Sequence, residues 1–199
     1  MSKGKVFIIS APSGTGKGTI INRIFELRSG TELSVSATTR KPREGEVDGK
    51  HYHFLSMEQF DEMIDNDQFL EYAVYAGNKY GTPLPPIIEK TNKGIHVILE
   101  IEVQGALKVQ EIFPETKMIF VVPPSMAELK KRLVERGRED EERINARLLR
   151  AKEELLLSDR YAYIVVNDVL EQCIDDVRAI IKKAESEKTL VNNLLNEEY

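Results

Sequence analysis

The chain of 199 residues holds a single cysteine, Cys173, so no internal disulfide can form. A reducing compartment, the cytoplasm, is therefore expected. No stretch approaches the roughly 18 consecutive apolar residues of a membrane span, and a membrane role is not expected. Met1 to Val6 runs almost directly into apolar residues, without the hydrophobic stretch and small-residue cleavage site of a secretory leader. Basic charge is not in excess. Lys and Arg number 28 against 33 Asp and Glu, a net charge of -5, which argues against a general nucleic-acid binder. Repeats, low-complexity tracts and linkers between independent domains are missing. So are a cysteine cluster with metal-ligand spacing, a His–Asp pair and a recognisable nucleophile. His51, His53 and His96 read as structural or exposed, and Cys173 as a small core residue in an amphipathic helix.

What remains is the composition of an ordinary globular protein, 41% hydrophobic and 31% charged, long enough to bury a substantial core. Its positive charge is grouped. Arg40, Lys41 and Arg43 form one cluster; Arg132, Arg136, Arg138, Arg143, Arg147 and Arg150 form another. Clusters of this kind on an acidic chain suit a small anion, although single arginines on a helix are usually solvated partners of glutamate.

Five short apolar runs rich in β-branched residues alternate with helical patterns. They are Lys5–Ile9, Leu33–Ser36, Ile95–Leu99, Met118–Val122 and Tyr163–Val166. Near-continuous apolar character predicts strands buried on both faces. Helices are predicted over 20–27, over 85–93 with proline at the start and Gly94 at the end, and from Leu170 to about Leu195. Strand and helix in alternation predict a parallel sheet covered by helices. Two stretches break the rhythm. Residues 37–83 are rich in turns and aromatics, with Ser56 and Gln59 set as a capping box and a short strand expected over Glu71–Tyr75. Residues 125–157 start with a second capping box, Ser125 and Glu128. Gly137 interrupts that helical stretch, and the acidic run Glu139–Glu142 suits a new helix N-terminus. A hinged helical hairpin is expected there.

Between the first strand and the first helix stands Ala11-Pro12-Ser13-Gly14-Thr15-Gly16-Lys17-Gly18-Thr19. Glycines there let backbone N–H groups converge on a phosphate, the helix N-terminus adds partial positive charge, and Lys17 reaches the β- and γ-phosphates as a mobile charge. Strand before and helix after is the setting such a loop requires. The usual pattern has glycine where Ala11 stands, and serine or threonine where Gly18 stands. A hydroxyl for Mg²⁺ is then available only one place later, at Thr19.

Further motifs narrow the reading. Ser36-Ala37-Thr38-Thr39-Arg40-Lys41-Pro42-Arg43 leads into Gly45-Glu46 and Tyr52. Glu71, Tyr80-Gly81-Thr82 and Glu100-Ile101-Glu102-Val103-Gln104-Gly105 follow. With these residues the chain resembles the guanylate kinases, which transfer a phosphoryl group from ATP to GMP. The similarity runs from the phosphate loop to Asn167-Asp168. It implies a three-layer α/β P-loop fold with a five-stranded parallel core sheet. The core would be about 1–33, 84–124 and 158–199, the inserted GMP-binding lobe about 34–83 and the helical lid about 125–157.

The resemblance also implies roles. Residues 11–19 and Asn167 would bind ATP, with Lys17 catalytic. Arg40 and Arg43, with Tyr52 and Tyr80, would hold the GMP phosphate. Ser36, Glu71 and Thr82 would read the guanine edge. Glu102 would contact GMP, Arg136 and Arg147 would be lid arginines acting on the transferring group, and Mg²⁺ would ride mainly on nucleotide phosphates and water. Thr19 and Glu100 are the candidates for a protein ligand to that ion. The substrates implied are ATP and GMP, with dGMP left open, and oligomeric state is not indicated. A catalytically inactive module of the same family, holding phosphorylated proteins, is the alternative.

The chemistry of the residues agrees with that implication. Arginine forks match phosphate oxygens. A glutamate accepts from both the N1–H and the exocyclic amine of guanine, whereas adenine would present it an acceptor. Phosphoryl transfer asks for positioning and charge neutralisation rather than a nucleophilic side chain.

Overall fold

A computed structural model describes residues 3–26, 31–75, 77–135 and 140–195, with side chains as far as residue 184. Arg136, Gly137, Arg138 and Glu139 lie outside the described residues, and so do Met1, Ser2 and Leu27. In chain order the elements begin with β1 (Val6–Ser10), α1 (Lys17–Glu26), β2 (Thr31–Leu33), β3 (Ala37–Thr38), β4 (His53–Phe54) and α2 (Met57–Asp65). There follow β5 (Phe69–Tyr75), β6 (Asn78–Pro83), α3 (Leu84–Asn92), β7 (His96–Glu100) and α4 (Val103–Ile112). The last are β8 (Lys117–Val122), α5 (Met126–Glu135), α6 (Glu141–Leu155), a 3₁₀ turn at Ser158–Arg160, β9 (Tyr163–Val166) and α7 (Leu170–Leu195). The five-stranded parallel sheet has the order β2-β7-β1-β8-β9, and a second, mixed sheet has the order β4-β3-β6-β5.

The chain forms two compact units. The first comprises residues 1–10 and 28–118, the second 11–27 and 119–199. In the first unit β7 pairs with β1 (Val6 opposite Val97) and with β2 (Thr31 opposite His96), both in parallel. Phe7, Ile8, Ile9, Val97, Ile98 and Leu99 are fully buried, as their unbroken apolar runs require. Helix α3 starts with the expected prolines and ends before Gly94 at φ +82°. His96 is structural: its Nδ1 accepts the Lys5 N–H at 2.9 Å and its ring meets Phe7 edge-on.

The same unit holds the mixed sheet. Antiparallel pairing joins β5 to β6 and β6 to β3, and β4 runs parallel to β3. Phe60 of α2 is fully buried and stacks on Phe69 of β5 with centroids 4.3 Å apart. The capping box forms as predicted. The Ser56 side chain accepts the Gln59 N–H and the Gln59 side chain accepts the Ser56 N–H.

In the second unit β8 and β9 pair in parallel, Ile119 opposite Tyr163. Ile20, Ile21 and Ile24 of α1 are fully buried, as are Cys173, Ile174, Val177 and Ile181 of α7. Burial pushes the Cys173 thiol up to about 11, so it stays protonated and inert. Helices α5 and α6 pack through Leu129, Leu133, Ile144 and Ala151 as a hairpin. Ser125 caps α5 by accepting the Glu128 N–H at 3.1 Å, while the Glu128 carboxylate turns away to Arg132. Asp140 caps α6 by accepting the Arg143 N–H, with Glu141 and Glu142 in the first turn.

Three differences from expectation have physical causes. The strand expected over 33–36 is β2, ending at Leu33. Ser34 still donates to the Ile98 carbonyl, but Ser36 already accepts from His53 in the mixed sheet, so this stretch passes from one sheet to the other. Strand β6 escapes notice because Asn78-Lys79-Tyr80-Gly81-Thr82-Pro83 carries no apolar alternation; backbone pairing with β5 defines it. Helix α4 has no side-chain cap to mark its start. In addition β9, the last strand of its sheet, exposes Ile164 and Val166 and buries Val165, so it is covered on one face only.

Candidate functional site

The second unit carries the glycine loop. Ala11–Gly16 follows β1, and α1 opens at Lys17. Gly14 and Gly16 adopt φ of +96° and +98°, which L side chains rarely reach. Space is short there as well. A Cβ on Gly14 would meet Leu133 Cδ2 at 2.7 Å, and one on Gly16 would meet Asn167 Nδ2 at 2.8 Å. The loop is tied internally by Thr15 N–H donating to the Pro12 carbonyl at 3.2 Å. Ala11 is half-buried, Pro12 buried and Ser13 exposed. Lys17 is half-buried; Gly18 and Thr19 are exposed.

Asn167 stands just beyond β9 and is buried. Its Nδ2 donates to the Thr15 carbonyl at 2.6 Å, and its own carbonyl accepts from Arg132 Nη1 at 3.0 Å. Thr15 is fully buried, and its Oγ1 has no hydrogen-bond partner. A cavity of about 370 Å³ opens at this point, lined by Thr15, Thr19, Arg132, Asn167, Asp168 and Leu170 among others. Such a volume suits a heterocyclic base. On α6, Arg147 Nη2 donates to Ser13 Oγ at 2.6 Å, so the structure brings this arginine to the loop. Arg136 lies outside the described residues.

The first unit carries the other predicted residues. Arg40 follows β3, and its guanidinium forks onto Glu46, Nη1 to Oε2 and Nη2 to Oε1, both at 2.9 Å. Arg40 Nη1 also donates to the Lys41 carbonyl at 2.7 Å. Glu46 Oε2 further accepts the Arg43 backbone N–H at 2.7 Å. The Arg40 fork and the Arg43 N–H together hold the Glu46 carboxyl far below its ordinary value, at about 2. Arg40 lies 5.5 Å above the Tyr52 ring and 5.7 Å above Phe54. Tyr52 and Tyr80 meet edge-on with centroids 6.2 Å apart. Burial, reinforced by the Glu100 carboxylate, raises the Tyr52 hydroxyl above its ordinary value. Arg43 is exposed.

Glu71 on β5 faces Thr82 on β6, and the Thr82 hydroxyl donates to Glu71 Oε1 at 2.7 Å. Burial raises the Glu71 carboxyl above the usual carboxylate range. The Thr82 bond and Lys108 pull it down, and Glu102 pushes it up. Glu102 is exposed at the N-cap of α4, Glu100 is half-buried at the end of β7, and Ser36 is half-buried just before β3. Among the described residues no three His, Cys, Asp or Glu are grouped to hold a metal ion.

Sequence reasoning named neither Glu46 as a site residue nor Arg132 as a partner of Asn167. Glu46 was legible in principle: a glutamate three residues beyond Arg43, after a turn glycine, is placed to fold back on the arginines. Arg132 carried no signal beyond its cluster.

Comparison with known proteins gives the family. The guanylate kinase family model matches residues 3–184. The guanylate kinase of Halalkalibacterium halodurans is 50% identical over 179 residues, 90% of this chain and 88% of that protein. That of Lactococcus lactis is 50% identical over 180 residues, again 90% and 88%. The crystal structure of guanylate kinase from Anaplasma phagocytophilum superposes with a TM-score of 0.74 at 33% identity, covering 92% of this chain and 86% of that one. A family match over nearly the whole length, on a chain bearing both the glycine loop and the Arg40–Glu46 and Glu71–Thr82 pairs, leads to one conclusion: the chain belongs to the guanylate kinase family.

Proposed function

We propose that the chain transfers the γ-phosphoryl group of ATP to GMP, giving ADP and GDP. The observation that carries the choice of GMP is the Glu71–Thr82 pair. A half-buried carboxylate has one oxygen on a hydroxyl and its burial offset by no ion pair in contact, which suits a ligand edge that donates twice. Guanine offers that edge through N1–H and the exocyclic amine, and adenine does not.

The roles follow. Residues 11–19 wrap the ATP phosphates, with Lys17 bridging the β- and γ-phosphates, and Asn167 borders the adenine. Arg40 and Arg43, with the hydroxyls of Tyr52 and Tyr80, bind the GMP phosphate. Ser36, Glu71 and Thr82 read guanine, and Glu102 contacts the nucleotide. Arg136 and Arg147 neutralise charge on the group in flight. No side chain forms a covalent intermediate; the barrier falls through alignment and prearranged charge. Residues 34–83 act as the GMP lobe and 125–157 as the lid, on a core of 1–33, 84–124 and 158–199. Their closure excludes water and suppresses idle ATP hydrolysis.

Mg²⁺ arrives on the nucleotide. A small ion that keeps several waters and phosphate oxygens needs few protein ligands, and the Thr19 hydroxyl and the Glu100 carboxylate are each a candidate for one. Bound there, it would screen the β- and γ-phosphate charge. The reaction draws on cytoplasmic nucleotides, in keeping with a buried, protonated Cys173. Among the described residues no helix is long and apolar enough to cross a membrane.

The test is an ADP-release assay with ATP, Mg²⁺ and either GMP, AMP, CMP or UMP. Fast turnover with GMP alone is expected. Preference for AMP would overturn the assignment. Turnover with none, despite ATP binding, would leave the inactive phosphoprotein-binding module.

A further inference from the structure

Gly105 is the third residue of α4, in a helical stretch where its backbone has no positive φ. Glycine inside a helix is destabilising relative to alanine, so an ordinary helical backbone gives no reason for it. The reason lies across the gap. A Cβ built on Gly105 would meet Glu71 Oε2 at 2.9 Å, Glu71 Cδ at 3.2 Å and Glu71 Cγ at 3.6 Å. These three nearest atoms all belong to one side chain, and no backbone or core atom comes before them. The same carboxylate is fixed on its other side by the Thr82 hydroxyl at 2.7 Å.

We propose that Gly105 is a specificity-determining positioning residue: its missing side chain makes the seat that holds the Glu71 carboxylate between α4 and Thr82, aimed to accept both guanine donors. The inference rests on the reading of Glu71 as the guanine-reading group. Lys108, one turn further along α4, attracts the seated carboxylate and Glu102 repels it, so the seat is electrostatically mixed and steric room decides the position. Any side chain at 105 must push the flexible end of Glu71 aside, because that end is the part free to move. Guanine would then lose one or both of its hydrogen bonds, while the helix itself would gain.

The experiment uses the full chain with G105A, E71A and the double variant. It reads kcat and KM for GMP and for IMP, which keeps N1–H and lacks the exocyclic amine, together with KM for ATP and Tm. In the parent the GMP preference over IMP should be large. G105A should reduce it at least about tenfold, mainly through KM for GMP, with KM for ATP unchanged and Tm unchanged or higher. In the E71A background, with nothing left to displace, adding G105A should change the preference no further. An unaltered preference in G105A, when E71A abolishes it, overturns the role of Gly105 and leaves Glu71 as the guanine reader. An equal effect of G105A with and without Glu71 overturns it too, as does loss of the fold in G105A. A preference that survives E71A overturns the guanine reading itself, and this inference with it.

Discussion

Arg40 and Glu46 close a two-pronged ion pair, both N–O distances 2.9 Å, and the same carboxylate caps the Arg43 backbone N–H. One acid therefore sets the position of both arginines assigned to the GMP phosphate. Replacing Glu46 by Gln keeps the size and removes the charge-assisted fork. We expect E46Q to raise KM for GMP about tenfold, leaving KM for ATP unaltered, since removing one charge-assisted contact is typically worth about that factor. Steady-state titration of each substrate checks it, and equal changes in both would contradict it.

The same pair gives an acid limit. Glu46 has its carboxyl depressed from 4.5 to about 2 in the folded chain. A depressed carboxyl contributes stability above its unfolded value and loses it as pH falls through the folded one. The stability that the pair contributes should thus decline as pH falls below about 4.5, while the Arg40–Glu46 contact in the folded chain persists at pH 4 and is lost only as pH falls through about 2. The guanidinium signal of Arg40 in NMR should report that loss, and it should be pH-independent in E46Q.

Lys17 is the first residue of α1, beside two glycines of positive φ. K17A should lower kcat by about 100-fold or more, the usual scale for one charge aimed at a transition state, with circular dichroism unchanged. Undiminished turnover would remove the loop lysine from the reaction.

Glu71 carries the opposite shift, upward, caused first by burial. Only the ionised form accepts twice from guanine, so GMP affinity should rise with pH as Glu71 ionises, above the usual carboxylate range. E71Q should weaken GMP binding about tenfold or more and flatten that dependence. The stability sign is the reverse. A raised carboxyl favours the folded state when protonated, so the parent gains on E71Q below 4.5 and loses the advantage as pH rises through the folded value. Calorimetric binding and Tm across pH separate the two.

Asn167 bridges the end of β9 to the Thr15 carbonyl at 2.6 Å, in a fully buried setting. N167A leaves that carbonyl unsatisfied, at a cost of about 1–3 kcal/mol, or several degrees of Tm for a chain of this length. KM for ATP should rise with it. A normal Tm with raised KM would mean that water replaces the amide.

Much of this was legible in the residues. The buried strands announced themselves through runs such as Val6–Ile9 and Met118–Val122, whose two-sided burial needs no partner knowledge. The glycine loop was legible because φ above zero and absent side chains leave few alternatives at Gly14 and Gly16. The mixed sheet was less so. Strand β6 is polar, and its backbone pairing to β5 decides it. Glu46 folds back from only three residues beyond Arg43, but the seat of Glu71 depends on Gly105 of α4, more than thirty positions away. Relations of that kind lie in distance, and sequence order does not show them.

The parallel pairing of β1 has a consequence for how the chain is made. Its Val6 meets Val97, and the Ser10 hydroxyl donates to the Ile101 carbonyl across a sequence separation of 91 residues. No hairpin can satisfy that strand early. As the chain leaves the ribosome, an apolar edge from Val6 to Ile9 waits for most of the first unit before its partner exists. Local pieces, the β5–β6 hairpin and the α5–α6 pair, can form ahead of it, while the sheet pays its loop-closure entropy late. Newly made chain is therefore most open to aggregation in that interval, before the strand that covers it has been translated.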